Sequence, residues 1–250
     1  FYECRTVRKL CAAVTSSDGA KKRNKSFGKY PLERSEQDIK LFNTFAKLTR
    51  NMYSFKVTGL EKLDMSGKYI FCPNHESDLD CMWVFAALSD VMDINDASAL
   101  IAAEHLDDDL HKRVFRICGG IPIDRKGDFV PSLRRGLEVL KKEKRFLLIH
   151  PEGTRTRDGK LGSFKKGAAF ISCSSGVKAV PVCISGAGEI YPVFRKTPKL
   201  FDVFKLKKYS LHISFGEPVD PEGRTPEQVT EELRRQIVRM KRSEKLGNRN

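Results

Sequence analysis

Tyr69-Ile70-Phe71-Cys72-Pro73-Asn74-His75-Glu76-Ser77-Asp78-Leu79-Asp80 is an apolar, strand-like run that breaks into a polar turn carrying a histidine five positions before an aspartate. Histidine titrates near neutrality, so a carboxylate that fixes its tautomer and stabilises its cation makes it a general base. Helix geometry limits how the two can meet. At about 100° per residue, positions five apart lie about 140° apart around a helix axis. His75 and Asp80 therefore meet only if His75 sits in the entering turn and Asp80 in the first helical turn. The plainer alternative is a capping carboxylate beside an ordinary loop histidine.

Outward from this stretch the pattern alternates. Strand candidates fall at 69–73, 98–103, 120–123, 146–150, 179–184 and 209–215, and helix-like segments near 79–90, 131–144, 164–174 and 226–244. Such alternation reads as an α/β fold with a mixed, largely parallel sheet flanked by helices. Pro131 and Pro226 suit first helical turns, the latter after a capping Thr225. Upstream, Ser35 and Asp38 mark a helix start. Ile39, Leu41, Phe42, Phe45, Ala46, Leu48 and Met52 then recur at three- and four-residue steps as one apolar face. The expected division is a basic tail over 1–34, an amphipathic helical segment over 35–58 and a main domain over 59–250. The apolar face of the helical segment suits either a core or a membrane interface.

A chain of 250 residues, 40% hydrophobic, can bury a sizeable core. Its net charge of +14 points to an anionic partner: an acidic membrane surface, a nucleic acid or phosphorylated small molecules. Nucleic acid is not expected, because no binding motif and no aromatics interleaved on a basic face are visible. The longest apolar runs, such as 81–88, fall far short of the ~20 residues that span a bilayer. Phe1 in place of methionine leaves open a removed leader or an excised portion of a longer chain. Seven cysteines, spread without a framework, read as free thiols in a reducing compartment. Cys72, His75 and Cys81 could be imagined as metal ligands, but no Cys-x2-Cys pair completes a closed site, so no metal is expected.

Three further blocks follow in order: Gly120-Ile121-Pro122-Ile123-Asp124-Arg125, His150-Pro151-Glu152-Gly153-Thr154-Arg155 and Ala179-Val180-Pro181-Val182. With the His-x4-Asp block, they resemble the four sequence blocks of the glycerolipid acyltransferase family, which includes the 1-acyl-glycerol-3-phosphate acyltransferases. The resemblance runs from about Gly59 to Asp220. It implies that His75 and Asp80 are catalytic, and that Glu152 and Arg155, with Arg125, help hold a glycerol phosphate; Gly153 and Thr154 belong to the same block. The residues themselves are compatible with that role. Arg155 offers a planar fork for phosphate oxygens and Gly153 permits close approach. Lys165 and Lys166 open a helix-like segment, where an anion also feels the helix N-terminus. A buried ion pair between Glu152 and an arginine is the structural alternative. No Gly-x-Ser-x-Gly elbow nominates a serine to carry an acyl group.

The chain departs from the family's pattern where members often carry lysines between the first two blocks. Here Ile101-Ala102-Ala103-Glu104 stands instead, so another cation is needed, with Lys126 beside Arg125 one candidate. His150 occupies a position that is often aromatic or aliphatic. The resulting expectation is acyl transfer from acyl-CoA or acyl carrier protein, as co-substrate and without a cofactor, to the hydroxyl of 1-acyl-glycerol-3-phosphate. Glycerol 3-phosphate or another lysophospholipid is the alternative acceptor, and a non-catalytic basic module the alternative class. The expected location is the cytoplasm, peripheral on the cytoplasmic face of an anionic membrane.

Overall fold

The computed structural model describes residues 29–103, 109–124, 129–202 and 206–247. The chain runs α1 (Glu36–Met52), β1 (Ser54–Thr58), β2 (Tyr69–Pro73), α2 (Asp80–Leu88), β3 (Ala97–Ala102), α3 (Asp109–Ile117), β4 (Gly120–Ile123) and α4 (Val130–Lys142). It continues through β5 (Phe146–Leu148), α5 (Gly167–Ser175), β6 (Ala179–Ser185), α6 (Ala187–Ile190), β7 (Ser210–Phe215) and α7 (Pro226–Gly247). The seven strands form one sheet in the order β1-β7-β6-β2-β5-β3-β4. Pairing is parallel except where β6 meets β7. The mixed, largely parallel sheet expected from the alternation is present.

β2 lies inside the sheet with every residue buried, which is why its sequence reads as a continuous apolar run rather than an alternating one. Its side chains still alternate between the two faces. Tyr69 and Phe71 join a core built with Phe42, Trp83 and Phe85 of α1 and α2. Ile70 and Cys72 join a second core built from α4, α5 and α7, including Leu137, Phe170 and Leu233. Parallel strands packed on both faces place their carboxyl ends at one edge, where such sheets collect ligands. His75 follows β2 there and His150 follows its neighbour β5.

The helix start at Ser35 takes the expected form: Asp38 donates its amide to Ser35 Oγ at 3.2 Å, and Asp38 Oδ2 accepts from the Ser35 amide at 2.9 Å. Thr225 and Gln228 close the same kind of box at the start of α7. One expectation needs correction. The helical segment stops at Met52, and Ser54–Thr58 is an edge strand paired with β7. The alternation of Phe55 and Val57 with Lys56 was the available signal, too short to stand out after a strong helix. Of the two uses left open for the apolar face of α1, packing on the core takes most of it. Phe42 and Ala46 are buried, Ile39, Phe45 and Met52 pack against the core, and Leu41 and Leu48 alone of the face remain exposed. α3, which the alternation did not flag, packs beside α1, where Arg116 bonds the buried Asp38 at 2.7 Å.

No helix among the described residues is long and apolar enough to cross a membrane. Cys72, Cys81, Cys118, Cys173 and Cys183 are free thiols. The cationic cluster at 21–25, Glu104, Arg125 and Lys126 lie outside the described residues.

Truncating a large buried side chain costs about 3–5 kcal/mol, and an exposed one far from special features about 0.5 or less. Phe42→Ala is therefore expected to lower the unfolding free energy by about 3–5 kcal/mol, and Leu48→Ala to leave it nearly unchanged. Urea unfolding of both variants checks this, and equal small losses would return α1 to the surface.

Candidate active site

The turn after β2 folds around one carboxylate. Asp80, fully buried, begins α2, and its Oδ2 receives the amides of Glu76 at 2.6 Å and Ser77 at 2.8 Å. The same oxygen lies 2.9 Å from His75 Nδ1. His75 is thus in the entering turn and Asp80 in the first helical turn, as the geometry of their spacing requires. With Asp80 ionised, Nδ1 carries the proton it donates and Nε2 carries the lone pair. Burial pushes the Asp80 carboxyl up to about 7, against the pull of His150 and of the two backbone amides. Among the described residues, Asp80 Oδ1 has no hydrogen-bond partner.

The backbone of His75 is held on both sides. Its amide donates to Glu152 Oε1 at 2.9 Å and its carbonyl accepts from the Thr156 amide at 2.9 Å. Asn74 stitches the same turn to β6, accepting from the Ile184 amide at 2.6 Å and donating to the Ile184 carbonyl at 3.0 Å. Glu76 is tied from outside by Lys241 of α7, with Nζ 2.6 Å from Oε1, and by the Gly188 amide of α6 at 3.1 Å. Four separate elements therefore fix the ring that faces the cavity.

That cavity has a volume of about 590 Å³, within the range of small-molecule sites. His75, Asp78, Gly153, Arg155, Lys165 and Lys166 line it on the polar side. Leu100, Val114, Phe115, Ile123, Phe129 and Phe170 supply its apolar wall. The site thus joins a histidine–carboxylate pair and several cations to a pocket suited to an alkyl chain.

The expected site residues divide. His75, Gly153, Arg155, Lys165 and Lys166 come together at the cavity. Gly153 holds φ +67°, and an added Cβ would meet the Lys165 side chain at 3.0 Å. Arg155 is ion-paired with Asp78, not with Glu152. Lys166 pairs with Glu227 at 2.8 Å. Glu152 does not line the cavity. It is 5% exposed, and its carboxylate is committed to the His75 amide and to the Gly162 amide at 2.7 Å. Its observed role is to position His75. Thr154 is exposed and outside the cavity wall, and Arg125 is outside the described residues.

The sequence left His150 without a role. Its ring stacks on His75 with centroids 3.8 Å apart and planes 15° apart. Burial, then the neighbouring His75, lowers its pKa to about 3. A neutral imidazole thus serves as the flat plate that an aromatic residue would otherwise provide. His75, Asp80 and His150 bring ligand atoms within 4.8 Å of one another. Stacked rings aim their in-plane lone pairs in parallel, whereas a metal needs them to converge. The arrangement is better suited to holding a proton.

Residues 54–185, more than half of the chain, match the family described as Acyltransferase. The chain is 32% identical over 143 residues to the chloroplastic 1-acyl-sn-glycerol-3-phosphate acyltransferase of Arabidopsis thaliana, covering 56% of this chain and 38% of that protein. It is 27% identical over 194 residues to the 1-acyl-sn-glycerol-3-phosphate acyltransferase of Saccharomyces cerevisiae, covering 73% of this chain and 58% of the other. The chain thus spans less than two thirds of the length of these curated relatives. The crystal structure of the 1-acyl-sn-glycerophosphate acyltransferase PlsC from Thermotoga maritima shares the fold, with a TM-score of 0.59 and 23% identity. That likeness covers 95% of this chain and 98% of the other.

Asp80 and His150 act oppositely on stability. The Asp80 carboxyl is raised from 3.8 to about 7, so its contribution is full below 3.8 and lost as pH rises through about 7. His150 is lowered from 6.5 to about 3, so its contribution is full above 6.5 and lost as pH falls through about 3. Relative to Asp80→Asn, wild-type stability should decline from pH 4 towards 7. Relative to His150→Phe, it should rise across the same window. Urea midpoints of the three proteins at stepped pH check this, and flat difference curves would remove either assignment.

Proposed function

The chain belongs to the acyltransferase family, and from that premise we propose that it transfers a fatty acyl group to the free hydroxyl of 1-acyl-glycerol-3-phosphate, making phosphatidic acid. The donor is acyl-CoA or acyl carrier protein, and no resident cofactor takes part. The observation that carries this reading is the His75–Asp80 pair, 2.9 Å apart, at the polar end of an apolar cavity.

The acceptor hydroxyl lies against His75 Nε2, which takes its proton as the oxygen attacks the thioester carbonyl. The Asp80 carboxylate stabilises the imidazolium, as in a triad without its serine. The tetrahedral intermediate then collapses, the C–S bond breaks, and the leaving thiolate takes the proton from His75. The ester and the free thiol are formed with no covalent enzyme intermediate. The acyl chain suits the apolar wall, and Arg155, Lys165 and Lys166 supply positive charge for the acceptor phosphate. The acceptor is a membrane lipid, so the protein works peripherally at an anionic bilayer on its cytoplasmic face.

His75→Ala is expected to stay folded and to lose turnover by roughly 10²–10⁴-fold, the usual scale for a general base. Thiol release from acyl-CoA that depends on added 1-acyl-glycerol-3-phosphate measures this. Near-normal turnover at saturation would end the assignment.

Arg155→Lys keeps the charge but loses the fork, so KM for the phosphorylated acceptor should rise more than KM for the donor. Equal losses with a monoacylglycerol and its phosphate would show that Arg155 does not read phosphate.

A further inference from the structure

Eight large apolar side chains are exposed among the described residues: Leu41, Leu48, Val91, Phe129, Phe194, Leu200, Phe201 and Leu206. The last four fall within one excursion between α6 and β7. Phe194 is 84% and Leu206 80% exposed. Arg195, Lys196, Lys207 and Lys208, all exposed, alternate with them along the chain. Asp202, the acid among the described residues of this excursion, is buried. Apolar tips set among cations, with no exposed acid between them, are the composition of an interfacial segment.

The excursion is held in place rather than hanging free. Tyr53 Oη donates to the Lys199 carbonyl at 3.0 Å, and the Lys199 amide donates to the Ile190 carbonyl at 2.9 Å. Asp202 and Lys207 exchange backbone bonds at 3.0 and 3.2 Å. Leu206 holds φ +48°, a conformation that disfavours any residue with a side chain. An apolar residue kept there, pointing into water, has no return from the fold itself. The root of the excursion lies at the active site. Gly188 of α6 bonds Glu76, next to His75, and the Tyr191 phenol is within electrostatic reach of Asp78 and Arg155.

We propose that the described residues of this excursion, 191–202 and 206–209, dock the protein onto an anionic lipid bilayer, with Phe194, Leu200, Phe201 and Leu206 entering the interface and the neighbouring cations meeting lipid headgroups. This rests on the reading that the acceptor is a membrane lysolipid, and it docks a segment whose root contacts the turn that carries His75. An acidic protein would satisfy the cations but would leave four apolar tips in search of a matching groove. A bilayer accepts them without one.

The test measures binding without substrates. Trp83 is the chain's one tryptophan and is fully buried, so Phe194→Trp adds a clean reporter. Its emission should shift to the blue on adding vesicles of phosphatidylcholine with a third of phosphatidylglycerol, and shift less with phosphatidylcholine alone. Sedimentation of the wild type with the anionic vesicles should weaken as salt rises. Phe194→Glu with Leu206→Glu should lower partitioning by about tenfold or more at low salt while circular dichroism and Trp83 emission stay unchanged. An unshifted Phe194→Trp spectrum, or a folded double variant that binds as the wild type does, overturns the proposal. Turnover of a short-chain, water-soluble lysolipid should survive in the double variant. Absence of turnover in every protein tested would count against the proposed reaction and leave the docking result standing.

Discussion

A buried carboxylate with donors on one oxygen organises this protein. Asp80 is withdrawn from water, which penalises its charge, and Oδ2 recovers part of that penalty from two backbone amides and His75 Nδ1. Those three bonds force the chain after β2 to curl over the start of α2 before it enters the helix. The local fold and the orientation of the imidazole are therefore one event. In the proposed reaction, developing positive charge on His75 would give the carboxylate the counter-charge that the resting protein supplies only in part.

Around that centre, the supporting contacts come from elements far apart in sequence. Asn74 borrows the edge of β6, Glu152 reaches back from the turn after β5, and Lys241 comes from α7. Each fixes a different atom of the same short turn. A ring held this way would lose little entropy on meeting the hydroxyl of the proposed acceptor. The stacked His150 completes the enclosure as a neutral plate, since burial penalises its charge and the neighbouring His75 adds to that penalty.

Much of this was legible in the sequence because its causes are local. The apolar run of β2, the capping residues of α1 and α7, and the phase argument for His75 and Asp80 all depend on neighbours within a few positions. β1 was missed because five residues following a helix carry little periodic signal. Whether α1 faced a core or an interface stayed open because amphipathicity states that a face is covered and not by what; Trp83 and its neighbours cover most of it. Glu152 was read as a ligand contact, yet it serves the His75 amide, a partner 77 positions away. Nothing within reach of a sequence window distinguishes those two uses of a carboxylate.

The bond from Lys241 to Glu76 spans 165 positions and has a consequence for how the site comes into being. A contact of such separation carries the entropy cost of closing a long loop. A partly folded chain with its sheet formed and α7 undocked would already hold His75 against Asp80. It would also present Glu76 to water as an unpaired charge beside the imidazole. Docking of α7 would then add the cation that Glu76 faces, so the polarity beside the imidazole depends on a closure 165 positions long.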